Sequence, residues 1–568
     1  MAKGRPVSCI CEGSLVLFQR WRRKREGKLV RIVRMKATLR KLLEVMAFVC
    51  AVILVAGCSS AAQPTGGGEA QAEDTPRRGG VLALATDNDP PSFDMHQEST
   101  TGMQNIIAPA YDSLVMFDPK DPKTVVGDLA EKWELAPDGK TYTFYMRKGV
   151  QFHNGNRFTA EDAKFSLDRM RDPPKGVRSP RKGIFDAVER VEATDDYTLK
   201  VFVKRPNPSL IANLAMGWIS MYDKEWVEEK GQDRPLKEVN GTGPFKFKSF
   251  TAGVAAEVER NPNYWMPDRP YLDGVKKFTI PDSGTRIAAV RAGQVHMLTI
   301  PFGQLKSFEE MQGFTIQEVG GTTFSTINMN ATREPFSDAR VRQAVMLAID
   351  RKAAIQILSE GDADVGGYLP PKGRWTLPAA ELAKLPGYGP DKAADFAQAK
   401  KLMAESGHAS GFSTTITSEA AHESLDTVVA DQLGKIGIKV NIKVETSALA
   451  YDIAANKDFA LLPWGHAVSQ DDPDAIYAEF YTCNAARNYS GICSKEVDDL
   501  FLKQSQTLDP SERAKLVLDV ERKAVALGGK IVLQWGRTHW GVWGYVHDYT
   551  RPMSSYANQK QRDVWMAQ

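Results

Sequence analysis

Cysteine, histidine and long apolar runs are all scarce in this chain of 568 residues, and each scarcity removes a class of function. Its eight histidines are scattered without the spacing of a metal site. The acidic residues Asp471, Asp472 and Asp474 lack the regular ligand spacing of a calcium loop. There is no G-x-S-x-G elbow, no H-E-x-x-H, no phosphate-cradling loop and no dinucleotide glycine pattern in context, so neither an enzyme activity nor a cofactor or metal is called for. The uncharged run from Val45 to Gly57 is short of the roughly 20 apolar residues that a membrane-crossing helix needs.

That short run has a different use. Lys36, Arg40 and Lys41 precede it as a positive n-region, and the run itself has the length of a signal-peptide h-region. Small residues Ala56 and Gly57 then lead into Cys58, and Val55-Ala56-Gly57-Cys58 resembles the lipobox of bacterial lipoproteins. By that resemblance residues 35–57 are a lipoprotein signal peptide and Cys58 becomes the lipidated first residue of the mature chain. Each buried methylene of such an anchor contributes about 0.8 kcal/mol. Residues 1–34 precede a signal that is complete from Met35 onward, and are read as an extension from a start codon placed too early.

Removing the leader changes the charge. Residues 1–57 hold 13 Lys and Arg against 3 Glu, a net of +10, so with the whole chain at +3 the remainder carries −7. A mildly acidic exported chain is a poor candidate for binding nucleic acid. Residues 58–78, rich in Gly, Ala, Pro and Ser, read as a flexible tether. Of the six cysteines only Cys483 and Cys493 lie beyond Cys58. In an oxidising compartment a local disulfide is the favoured reading for them, and a metal pair fails for want of further ligands.

The folded body alternates strands and helices. Val81 to Thr86 reads as an opening strand, and Pro137-Asp138-Gly139 as the turn of a hairpin in which Tyr142, Phe144 and Met146 alternate with Thr141, Thr143 and Tyr145. Thr159 with Asp162 signals a helix start. Val341, Val345, Ala348 and Ile349 fall on one helical face, and Ile438, Val440, Ile442 and Val444 alternate as in a half-buried strand. Asp509, Pro510 and Glu512 open another helix. The class is α/β with mixed sheets.

Several phrases, in order, resemble one family, the extracytoplasmic solute-binding proteins of peptide and nickel ABC importers (solute-binding protein family 5). They are "GGVLALATDNDPPSFD", "DLAEKWELAPDGKTYTFYMRKGVQFHNGNRFTAEDAKFSLDRM", "GTGPFKFKSFTAGVAAEVERNPNYW", "PFSDARVRQAVMLAIDR", "AKKLMAESGHASGF" and "CSKEVDDLF", spread over residues 79 to 568. The resemblance implies a two-lobed periplasmic-binding-protein clamshell with an extra inserted domain and hinge closure. Lobe I would comprise 79–110, 235–325 and 530–568, the inserted domain 111–234, and lobe II 326–529. Such a protein delivers a ligand to a permease and its ATPase, works as a monomer, and is held at the membrane of the periplasm or cell surface through its lipid.

Peptide-binding members carry Trp, two residues, Asp, two residues and Asp-Pro in lobe II, the first Asp pairing with the peptide ammonium. Here the corresponding stretch is "WGHAVSQDDP", Trp464 to Pro473, in which the position three before Asp472 is Ser469. The loop is longer and the ammonium partner is missing unless Asp471 takes that role. A buried ammonium without a carboxylate costs several kcal/mol, so a modified peptide, an opine or another small polar solute stands beside a free peptide as ligand. Trp464 is either a stacking face or core, and His466 either touches ligand or is a solvated bystander. Asn488 and Tyr489 resemble a loop that meets the ligand backbone, although the loop could be structural only. Two other functions stay open: a binding subunit that serves a sensor, and a secreted hydrolase.

Overall fold

The computed structural model describes residues 75–568 apart from 88, 91, 99–103, 105, 122, 420–421, 469, 486, 550–559 and 568. The expectations for residues 1–34, for the 35–57 signal, for Cys58 and for most of the 58–78 tether lie outside the described residues, as does Ser469.

Counting the strands of the two larger sheets, β1 is Val81–Thr86, β2 Ala130–Leu135, β3 Thr141–Met146, β4 Val188–Asp195 and β5 Thr198–Val203. There follow β6 Phe245–Thr251, β7 Ala255–Arg260, β8 Gly274–Thr279, β9 Met297–Ile300 and β10 Phe314–Met329. The last four are β11 Phe412–Glu419, β12 Ile438–Glu445, β13 Leu461–Ala467 and β14 Lys530–Trp543. The large sheet runs β12-β11-β13-β10-β14-β9-β1-β8-β7-β6, and the short strand Ala363–Asp364 pairs with β14 as its eleventh member. It mixes parallel pairs, such as β1 with β8, and antiparallel ones, such as β10 with β14, in keeping with the α/β class.

The 111–234 segment carries its own antiparallel sheet, β2-β3-β5-β4. Its hairpin turns at Pro137–Gly139, and Tyr142, Phe144 and Met146 point into a core with Leu199, Trp218 and Phe158, while Thr141, Thr143 and Tyr145 do not. The Ala160–Arg171 helix begins where Asp162 reaches back to accept the Thr159 N–H at 2.8 Å.

Two long strands run between separate cores. Along β14, Ile531, Val532, Leu533 and Trp535 pack with Ile327, Val345, Val429 and Val517. Val542, further along, packs with Leu82, Leu84, Val275 and Met297. Its partner β10 shifts register between Gly320 and Thr323, and Gly321 there has φ of 72°, a left-handed conformation that favours glycine. The expected borders at 325/326 and 529/530 therefore fall inside β10 and at the first residue of β14.

Two expectations need correction. The stretch from Ser337 onward is not one helix but two, Ala339–Ala348 and Arg351–Ser359. Ile349 turns extended, with ψ of 110°, and Asp350 caps the second helix by accepting the Ala353 N–H, so the cap overrides the apolar periodicity. The alternation of β12 does not mark a half-buried strand along its length. It is the edge of the sheet, and Ile442 and Val444 are exposed while Ile438 is buried.

Candidate functional site

The segment that begins at Trp464 meets the 111–234 segment through buried hydrogen bonds. Gln470 Nε2 donates to Asn213 Oδ1 at 2.6 Å, and the Ser209 hydroxyl donates to Asp472 Oδ1 at 2.8 Å. Asp472 is the N-cap of the Pro473–Phe480 helix, accepting the Asp474 N–H at 2.9 Å. It also pairs with Arg513 at 3.3 Å, with both side chains less than a tenth exposed. Arg513 Nη2 in turn donates to Ser209 Oγ at 2.9 Å, and its guanidinium lies over Trp375. An ion pair so placed needs every remaining donor satisfied, which Ser209 and Gln504 accomplish. This buried contact between the two segments marks the candidate site.

The five residues singled out from sequence do not all open into it. Antiparallel pairing of β13 with β10 sets Trp464 opposite Thr326 and His466 opposite Phe324. Trp464 is 3 % exposed and packs with Ala450, Phe459, Leu462 and Tyr489, so of its two readings the core one is observed. Tyr489 belongs to the same cluster, its ring 5.8 Å from that of Trp464. Asn488 does not offer its amide to a ligand. Nδ2 donates to the carbonyls of Thr482 and Ile492, and Oδ1 accepts from Ser490 Oγ, which ties the loop closed by the Cys483–Cys493 disulfide to itself and to the residue just before it.

His466 is not a solvated bystander. Its ring sits 5.0 Å from Phe324, 4.7 Å from Phe480 and 6.1 Å from Tyr489, with both nitrogens buried and without partners. Burial, reinforced by the charges of Lys530 and Arg487, holds it well below the usual histidine range, so it is neutral. Asp471 faces the turn at Gly373 and Arg374. Its Oδ2 accepts the Arg374 N–H at 2.6 Å, and a Cβ at Gly373 would stand 2.7 Å from Oδ1. Burial raises its carboxyl, with Asp472 adding, against the pull of Lys123 and Arg374. One oxygen is thus committed to backbone, while Oδ1 is buried without a partner and stays open to a cation.

Sequence reasoning missed Lys530, Glu479, Arg487 and Arg181. Lys530 is 3 % exposed and starts an apolar strand, a charge at the head of "KIVLQW" that could have been noticed. Glu479 pairs with Arg487 at 3.1 Å, both partly exposed. Arg181 of the 111–234 segment feels the Glu479 charge and lies over the Trp218 ring at 4.2 Å. Among the described residues no three His, Cys, Asp or Glu side chains come together as a metal site, and no helix is long and apolar enough to cross a membrane.

A mixed sheet that spans two separate cores, with a further antiparallel sheet in the 111–234 segment, is the architecture of a two-lobed clamshell. Residues 124–488 match the profile of the bacterial extracellular solute-binding proteins, family 5 (middle region), and the chain belongs to that family. Its members are transport binding proteins, not enzymes. The chain is 28% identical over 446 residues to the glutathione-binding protein GsiB of Pectobacterium atrosepticum, covering 76% of this chain and 84% of the relative. It is 26% identical over 465 residues to di/tripeptide-binding protein 1 of Pseudomonas aeruginosa, covering 77% and 85%. Among solved structures it is similar to the ABC transporter-associated periplasmic binding protein DppA from Helicobacter pylori in complex with the peptide STSA. That likeness has a TM-score of 0.74 and 26% identity, over 87% of this chain and 99% of that one. The binding protein AgaA of A. tumefaciens R10, in complex with agropinic acid, shares the fold with a TM-score of 0.72, 23% identity and coverage of 86% and 99%.

Proposed function

We propose that this chain is the substrate-binding component of an ABC importer, capturing a short peptide or a related small polar solute and handing it to a permease and its ATPase. The observation that carries the reading is the buried contact of Ser209 and Asn213 with Asp472, Arg513 and Gln470, which joins the 111–234 segment to the segment that begins at Trp464. Relatives named for glutathione, dipeptides and tripeptides support the peptide class. With Ser469 where an ammonium-pairing aspartate is expected, the partnerless Oδ1 of Asp471 is left to pair an α-ammonium, and a solute without a free α-ammonium stands beside a free peptide as ligand. We further infer a monomer of two lobes, with 79–110, 235–325 and 530–568 in one, 111–234 inserted and 326–529 in the other, tethered by lipid on Cys58 at the periplasmic or outer face of a membrane.

Native mass spectrometry of the full chain expressed in a bacterium tests both halves. The expected result is a chain that begins at a lipidated Cys58 and carries co-purifying peptides or one small solute, released unchanged on denaturation. A chain that carries nothing and that no peptide in a thermal screen stabilises would sink the peptide reading. A product in place of the added compound would point to a hydrolase.

A further inference from the structure

Around Phe480 the fold buries three hydrogen-bonding side chains and leaves them short of acceptors. Among the described residues Lys530 Nζ reaches two backbone carbonyls, Arg487 O at 3.2 Å and Phe480 O at 3.4 Å, both long for an ammonium. Three rings surround it, Tyr481 at 4.9 Å, Phe480 at 5.1 Å and Tyr489 at 5.9 Å. Among the described residues no carboxylate pairs with it directly; Glu479, which acts on it through space, is engaged by Arg487. The Tyr481 hydroxyl is buried without a partner, and its ring stacks on Tyr368 with centroids 3.9 Å apart. His466, 4.7 Å from the Phe480 ring, has two partnerless nitrogens. A buried ammonium with spare donors is costly, and one flanked by two further unsatisfied donors is costlier, unless something outside the chain supplies the acceptor.

We propose that Lys530, His466 and Tyr481 form a buried anion subsite beside Phe480, which takes a carboxylate of the bound solute. The proposal rests on the peptide-like reading above and extends it by naming the ligand group and its partners. One ammonium with two neutral donors matches a single carboxylate. A phosphate would call for the forked donors of arginine, and here Arg487 is held by Glu479. The subsite lies close to the surface, because Lys530 touches the backbone of Arg487, whose side chain is 45 % exposed. The helix that ends at Phe480 begins at Asp472, which Ser209 of the opposite wall contacts. Burial moves the Lys530 ammonium down to about 7, with Glu479 opposing and Arg487 adding, so an arriving carboxylate would also secure its proton.

Isothermal titration of the full chain with glutathione and with glutathione diethyl ester, which lacks both free carboxylates, reads the subsite. The wild-type chain is expected to bind the acid at least about 30-fold more tightly than the ester, the size of effect seen when one partner of a buried charge pair is removed. Lys530→Met should remove that preference, chiefly by weakening binding of the acid. It should also raise the thermal midpoint of the ligand-free chain, because an unpaired buried charge is replaced by a side chain of similar length, so a folding failure would not pass for the expected result. If Lys530→Met keeps the preference, the subsite is wrong while the peptide reading stands. If the wild-type chain binds neither compound, acetate alone decides. A stabilisation by acetate that Lys530→Met abolishes supports the subsite independently of the solute, and one that it leaves unchanged, or no stabilisation at all, overturns it.

Discussion

Glu521 is 1 % exposed and accepts hydrogen bonds from the Tyr368 amide at 2.6 Å, the Tyr477 hydroxyl at 3.0 Å and the Leu369 amide at 3.4 Å. Burial outweighs these partners and lifts its carboxyl from 4.5 to about 7. The folded value lies above the unfolded one. Its contribution to stability is therefore fully present below pH 4.5 and is lost as the pH rises through about 7. Between pH 5 and pH 8 this one group should cost the wild-type chain roughly 2–3 kcal/mol. Glu521→Gln keeps an oxygen for the Tyr368 N–H and cannot ionise. Thermal midpoints measured at both pH values should show the variant gaining on the wild type as the pH rises. A gap that stays constant with pH would mean that Glu521 is not the group responsible. Lys530 acts in the other direction and over another window. Its folded value is depressed, so the stability tied to it grows above pH 7 rather than below.

At the scale of elements, what could be read in advance was whatever depends on neighbours in the chain. The hairpin at Pro137–Gly139, the Thr159 helix start and the Asp509 cap, which accepts the Glu512 N–H at 2.7 Å, are local hydrogen-bonding and period signals, and the structure contains all three. The break at Ile349 shows one local signal, a cap, defeating another, the apolar face. The exposure of Ile442 and Val444 could not be read, because alternation does not say whether a strand ends up at the edge of a sheet. The same limit applies to the site. Trp464 and Asp472 stand out in the chain, but the partners that give Asp472 its role lie 263 and 41 residues away, at Ser209 and Arg513. The disulfide loop is the element whose role changes most, since Asn488 spends its side chain holding Thr482, Ile492 and Ser490. Replacing Cys483 and Cys493 by Ser should therefore lower stability by about 2–3 kcal/mol. It should also loosen the backbone carbonyl of Arg487 that Lys530 contacts. Chemical denaturation with and without reductant checks this. Reductant should destabilise the wild type and leave the double variant unchanged, and a reductant-insensitive wild type would show that the bridge carries no stability.

For the whole molecule, the question is what holds the two walls together. The cores of the 111–234 and 326–529 segments are separate clusters, so closing one wall on the other adds little to either interior. Instead a few polar bonds cross: Ser209 to the Asp472–Arg513 pair, and Gln470 to Asn213. Bonds of this kind are modest in net terms, about 1 kcal/mol each and up to about 3 where a charge is involved, because opening returns both partners to water. They suit a clamp that must open as well as close. The strands that run between the two lobe cores, β10 and β14, carry a register shift at Gly321 without breaking their pairing on either side. Ser209→Ala with Asn213→Ala removes the crossing bonds and leaves both cores and the Asp472–Arg513 pair in place. The double variant should keep its thermal midpoint within a few degrees. Its closed population should fall by about 10-fold to 100-fold, with a matching loss of solute affinity from faster release. Small-angle scattering of the ligand-free chain would then give a larger radius of gyration than the wild type, and saturating solute should restore it. If the radius and the release rate both stay at wild-type values, the crossing bonds are incidental, and closure must be driven by the solute's own contacts with the two walls.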